Sequence, residues 1–382
     1  MRKFPISKIL MPFAVLLLLV AACSDKSETS SSQDGSLKQS LPQISGIDLS
    51  GMDTSVRPQD DFYRYANGKW LDTTKIPADE VGWGSYMTLR KESLEQSRVI
   101  VEAAAADHQD DPAKKKIGDY YNAFVDEARI EELGIEPVAD YLSQIDNLKT
   151  HADIVAFFGA ANPAGIDAPF NLYVGQDDKE ATSYILHLVQ SGLGLPDRDY
   201  YSDSSERGVE IIGRYKSYLS DMLTLSGHPD ASTAAQRIFA LESQLAEQQW
   251  NKIDNRDADK RYNKVTAAEF LAMLSNLDVE TYLQGIGIDL PETVIVVQPS
   301  YLIAFNQLFT TVDVDSWKDY LRANVLSSYA SFLPSTFVET RFDFYSKFLY
   351  GRQEQQPRWR KAINSINGNL GELLGQLYVA KH

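Results

Sequence analysis

The chain has 382 residues, of which 43% are hydrophobic and 24% charged. That balance supplies ample material for a core and excludes a disordered or collagen-like chain; the length allows one large domain or two to three ordinary ones. The formal net charge of −16 repels nucleic acid and anionic lipid surfaces, so nucleic acid is not an expected partner.

The N-terminus has its own character. Arg2, Lys3 and Lys8 are the charged residues of the first 22, and without these three cations the balance moves from −16 to −19. Ile9 to Ala22 is almost wholly apolar, and Ala21 and Ala22 stand just before Cys23. A short positive region, an apolar stretch too short to span a bilayer comfortably and small residues at a cleavage point make a signal peptide over residues 1–22. The pattern resembles a bacterial lipoprotein signal, which implies Cys23 as the new N-terminus and the site of lipidation. Cys23 is the one cysteine of the chain, so no intrachain disulfide forms and the fold rests on its core. Ser24, rather than Asp, follows it; by resemblance to sorting signals this favours a lipid-anchored protein of the bacterial cell envelope, in the outer membrane facing the periplasm. Residues 23–46 are Ser-rich and polar, a flexible tether. The folded part is expected over 47–382.

The first folded segment, RPQDDFYRYANGKW (57–70), is dense in aromatics and carries an Asn67-Gly68 dipeptide that reads as a turn. Helical signals dominate thereafter. Leu89 to Ala106 reads as a helix ending at Asp107. Asp111-Pro112 opens another, with Pro at the first helical position; Ile117, Tyr121, Phe124 and Ala128 follow at helical spacing, and Gly134 stops the run. Thr150 with Asp153 opens a helix holding Ile154, Phe157 and Phe158. Two strands, 170–175 and 183–189, form a β-hairpin across a polar turn. Helices are expected at 205–226 and 231–252. Thr266 with Glu269 is a capping box ahead of Phe270, Met273 and Leu274. Thr293–Pro299 reads as a short strand, followed by helices at 315–332, 335–350 and 358–380. The last carries Trp359, Ile363, Ile366, Leu370, Leu373 and Leu377 as one core-facing stripe. The expected fold is mainly α, a multi-helix lobe with a small β-hairpin.

Chemistry is harder to find. His108, His151, His187, His228 and His382 include no pair three or four residues apart, so two zinc ligands on one helical turn are absent. There is no G-x-S-x-G elbow and no Walker loop. Gly192 and Gly194 in GLGLPDRDYY lack the strand-to-helix setting of a phosphate site. The adjacent acids Asp60-Asp61, Asp110-Asp111 and Asp177-Asp178 read as solvated turn residues, and His187 as a packed or surface residue of its strand. No catalytic or metal-binding residue is assigned, and the substrate-binding residues are unassigned.

Four dispersed motifs nevertheless occur in one order: DDFYRYANGKWL (60–71), FNLYVGQDDKEATSYILHLVQSGLGLPDRDYY (170–201), LESQLAEQQWNKIDNRDADKRYN (241–263) and PRWRKAINSINGNLGELLGQLYVAKH (357–382). Together they resemble the N-terminal region of the neprilysin-like zinc metallopeptidases, a family that includes the endothelin-converting enzymes and bacterial oligopeptidase O. The resemblance covers residues 45–382. It implies a lid-like lobe over a closed chamber that admits small peptides, with zinc as the cofactor of the full-length family and none bound by this chain. The H-E-x-x-H helix and the third ligand are implied to lie past residue 382, in a catalytic lobe that would be the partner of this one. This chain alone is then expected to be inactive. The resemblance also implies that Phe62, Tyr63, Tyr65 and Trp70 pack against that catalytic lobe. Where neprilysin places an arginine that grips a substrate's terminal carboxylate, this sequence has Gly82, and Met87 replaces a nearby acid; general endopeptidase use is implied. The alternative is a non-catalytic peptide-binding or interaction lipoprotein derived from the lid.

Overall fold

The computed structural model describes residues 49–107 and 111–382. Cys23, the signal and tether segments, His108 and Asp110 lie outside the described residues. The chain divides into two compact units, one ending at Thr74 and one from Lys75 to His382.

The first unit holds a 3₁₀ turn, Leu49–Gly51, and helix α1, Phe62–Thr73. The Asp61 side chain caps α1 by accepting from the Arg64 N–H. The Asn67-Gly68 dipeptide therefore lies inside a helix and makes no turn. The reason is a close approach: a Cβ on Gly68 would fall 2.4 Å from the Cβ of Asp53, whose N–H donates to the Tyr65 carbonyl at 2.9 Å. Glycine lets the preceding extended chain lie against the helix, which outweighs its weak helix propensity.

The second unit begins with α2 (Ser85–Ala106), α3 (Pro112–Val125) and α4 (Glu127–Leu133). Asp111 caps α3 through the N–H groups of Ala113 and Lys114. The run expected to continue to Gly134 breaks at Asp126, which ends α3 and caps α4, and Gly134 ends α4 at φ +60°. Next come α5 (Ala139–Asp146) and α6 (His151–Ala161), then strands β1 (Phe170–Asp177) and β2 (Glu180–Gln190). Helices α7 (Glu206–Leu225), α8 (Ala231–Gln248) and α9 (Ala258–Arg261) lead to β3 (Lys264–Thr266), α10 (Ala267–Met273), α11 (Val279–Ile286) and β4 (Thr293–Val296). The chain ends with α12 (Pro299–Thr311), α13 (Val314–Tyr329), α14 (Ser335–Arg341), a π-helix over Phe342–Leu349, and α15 (Arg358–Lys381). The capping boxes at Thr150/Asp153 and Thr266/Glu269 are both formed.

The fold is mainly α. Its strands make a four-stranded mixed sheet in the order β1-β2-β4-β3, more than the expected hairpin. The hairpin itself pairs Phe170 with Gln190 and turns at Asp178-Lys179. β4 joins β2 in parallel, and β3 adds antiparallel to β4.

Among the described residues three apolar clusters hold this unit, a small one of Ile185, Ile295 and Val297 on the sheet and two extensive ones. The larger joins α5 to α8, α10 to α14 and the sheet, around interlocked rings: Phe158 meets Trp317 edge-on at 5.7 Å and Phe170 meets Phe305 at 5.3 Å. Such pairs add to area burial because ring edges carry positive and faces negative potential. The lesser of the two extensive clusters packs α2 and α3 on α15 through Leu94, Val101, Ile117, Phe124, Ile363 and Ile366. The stripe from Trp359 to Leu377 faces this cluster, across a break at Leu370 where the backbone leaves helical angles. The last helix thus returns to the first helices of the unit.

Candidate functional site

The second and third motifs converge on one buried polar network. Glu242, on α8, is 1% exposed. It accepts from the Tyr201 hydroxyl at 2.7 Å and from the Tyr215 hydroxyl at 2.9 and 2.8 Å. Burial pushes its carboxyl up to about 7, although the two tyrosines oppose the rise. Tyr201 also accepts from the Leu195 N–H, and Tyr345 donates to the Gly194 carbonyl at 2.8 Å. The glycines of this loop are steric necessities: Gly192 sits at φ +84°, and a Cβ on Gly194 would fall 1.9 Å from the Tyr215 hydroxyl oxygen. They clear room for tyrosines and cradle no phosphate.

One strand-end away, Gln190 donates to the Trp250 carbonyl at 3.0 Å and accepts from its N–H at 2.8 Å. Gln298 accepts from the Gln190 N–H and donates to Asn255, while Gln249 donates to the Ser191 carbonyl. These side chains tie the end of β2 to the segment after α8 and the start of α12. The arrangement satisfies buried backbone groups. With its acid sealed away from solvent, it positions elements and offers no group to a substrate.

Each described histidine is engaged in the fold. His151 bonds the Val312 carbonyl at 2.8 Å. His187 is buried, stacked on Tyr173 at 4.8 Å. His228 lies 3.1 Å from Asp319, which also holds Arg237, and His382 contacts the Tyr378 ring. Among the described residues no three His, Cys, Asp or Glu side chains converge as a metal group.

The adjacent acids divide. Asp61 and Asp111 are helix caps. Asp177 is not a solvated turn residue: it is 1% exposed, bonded to Lys264 at 2.9 Å and to the Tyr262 hydroxyl at 2.9 Å. The Lys264 hydrogen bond leads the effects that lower its carboxyl to about 2. No local sequence signal distinguished Asp177 from Asp178, because its partners come from β3 and the loop before it.

Of the four aromatics in the first motif, Phe62 and Tyr63 stand 70% and 64% exposed, while Tyr65 and Trp70 are half-buried within the first unit. Gly82 precedes α2, and Met87 lies in its first turn. A cavity of about 500 Å³ opens between α7, α14 and the π-helix, with Arg214, Asp221, Glu339 and Asp343 on its walls.

The profile of peptidase family M13, N-terminal part, matches residues 58–382. The chain belongs to peptidase family M13. The match is to the N-terminal part of that family, which includes the neprilysin-like zinc metallopeptidases. Human endothelin-converting enzyme 1 is 28% identical over 362 residues, spanning 90% of this chain and 46% of the relative. Human neprilysin is 26% identical over 408 residues, spanning 96% and 52%. Among solved structures, the zinc metalloprotease Zmp1 of Mycobacterium tuberculosis, in complex with an inhibitor, superposes with a TM-score of 0.84 at 32% identity, over 88% of this chain and 52% of that one. PepO of Lactobacillus rhamnosis shares the fold, with a TM-score of 0.71 at 21% identity over 85% and 51%. The chain spans about half the length of the relatives it matches.

Proposed function

We propose that this chain is the N-terminal, chamber-forming part of a lipid-anchored zinc metalloendopeptidase that hydrolyses small peptides. The observation that carries the reading is the match of residues 58–382 to peptidase family M13. Zinc and the H-E-x-x-H helix would be supplied by a catalytic lobe outside residues 1–382. Zinc in such a site polarises the peptide carbonyl and activates water. Gly82 has no side chain to hold a substrate's terminal carboxylate, which supports cleavage within peptides over removal of short C-terminal pieces.

The test compares two proteins: residues 1–382 alone, and the same chain with the polypeptide encoded after it. Quenched fluorescent peptides should be cleaved only by the longer protein, and a zinc chelator should abolish that cleavage. Chelator-sensitive cleavage by 1–382 alone would overturn the division of labour. Peptide binding without turnover by the longer protein would favour the non-catalytic alternative.

Phe62, Tyr63, Tyr65 and Trp70 are proposed to pack on the catalytic lobe, because two of them leave apolar rings in solvent. In the longer protein, Trp70→Ala should lower both the thermal midpoint and peptidase activity; an unchanged variant removes the proposal. Cys23 is proposed as the lipid attachment in the outer membrane, facing the periplasm. Labelled fatty acid should enter the wild-type protein and not Cys23→Ser; equal labelling would exclude that site.

A further inference from the structure

The acidic chain gathers cations at one place. A cavity of about 260 Å³ lies where α15 meets the π-helix and the loop before it, and its charged wall residues are Arg341, Arg352 and Lys361, with no carboxylate. Among the described residues none of the three forms an ion pair. Glu127 acts on Lys361 only at longer range, and Asp167 likewise on Arg341. Ser331 and Asn364 add neutral hydrogen-bonding groups to the wall.

Two further observations point to a ligand. The Arg352 Nε is buried with no protein acceptor; Arg358, whose Nη2 also lacks one and whose Nε donates to the Phe124 carbonyl, lines the adjoining cavity with Glu127, Glu131 and Glu339. Buried guanidinium N–H groups without acceptors are costly, since they lose water and gain nothing in return. In addition, α15 starts here without a side-chain cap at Pro357, and its first two turns carry Lys361 and Asn364. The free N–H groups and the dipole of a 24-residue helix favour negative charge at that end.

We propose that Arg341, Arg352 and Lys361 form a binding site for one small oxyanion, either a phosphate or a carboxylate. Planar guanidinium forks match either group, and a lysine adds a point charge. Burial first, and Arg358 next, lower the Lys361 ammonium below the usual lysine range, with smaller contributions from Arg352 and Arg341 and an opposing one from Glu127. The size of the cavity suits one anionic group with its hydrogen-bonding shell and excludes a folded partner. The site does not depend on the peptidase reading, and its test needs no activity.

The test measures the thermal midpoint of the full 382-residue chain against inorganic phosphate and, separately, acetate, with ionic strength held constant by sodium chloride so that screening does not change. At least one of the two anions should raise the midpoint of the wild type, and the stronger one identifies the source. Arg352→Gln should weaken the apparent affinity about tenfold, as expected for losing a charge-assisted bond. Without anion this variant should be no less stable than wild type, because repulsion has been removed. If Arg352→Gln does not fold, Lys361→Gln carries the same expectations. Arg57→Gln, an exposed residue of the first unit, should leave the response intact. No response to either anion, or equal loss of response in Arg57→Gln, would overturn the site.

Discussion

Glu242→Ala is expected to destabilise the protein by about 4 kcal/mol at pH 5, read as a fall in the urea midpoint. The change strands the hydroxyls of Tyr201 and Tyr215, each bonded to this carboxyl, at roughly 1–3 kcal/mol apiece, and opens a void in a packed core. The pH dependence of the wild type follows from the same carboxyl. Its folded value is about 7 against an ordinary 4.5, so the folded state holds the proton more tightly than the unfolded one. Stability from this group is fully present below pH 4.5 and is lost as pH rises to about 7, a fall of about 3 kcal/mol. Glu242→Gln keeps an acceptor and has no proton to lose. Its stability should stay nearly flat across that window and exceed that of the wild type at pH 8. Parallel pH profiles for Glu242→Gln and wild type would show that the carboxyl does not titrate as described.

The second large effect is at Arg360. Its side chain is 7% exposed and bridges Asp79 at 3.2 Å and buried Glu80. The same stretch is held by Ala78, whose carbonyl accepts from the N–H groups of Gln353 and Glu354 at 3.0 and 2.9 Å. Arg360→Ala leaves the Glu80 carboxylate buried and unpaired, a loss of about 3–5 kcal/mol. The double variant Arg360→Met with Glu80→Gln removes both charges and should recover most of it. Equilibrium unfolding of the three proteins checks this. A double variant no better than Arg360→Ala would mean that the guanidinium acts through packing and not through its charge.

Two residues of the last motif thus serve different ends. Arg360 is paired and locks the segment before α2 to α15, whereas Lys361, one position on, lines the cationic cavity. Successive helical residues point about 100° apart, so adjacent positions reach different neighbours. From RWRK alone the three cations look equivalent.

What the sequence by itself determined is local or periodic. The caps at Asp111, Thr150 and Thr266 hold because their partners lie two or three residues away. The stripe on α15 and the hairpin strands hold because side-chain direction repeats with the backbone period. The family was legible because four motifs keep their order along 58–382. What only the tertiary structure decided depends on contacts distant in sequence. Gly68 reads as a turn until Asp53 is seen pressed against it. Asp177 looks solvated until Tyr262 and Lys264 close over it. Glu242, in a helix with one other acid, Glu247, is marked out only by tyrosines 27 and 41 positions away. Burial and charge pairing are properties of neighbours in space, and chain-local patterns carry no record of which distant residues those will be.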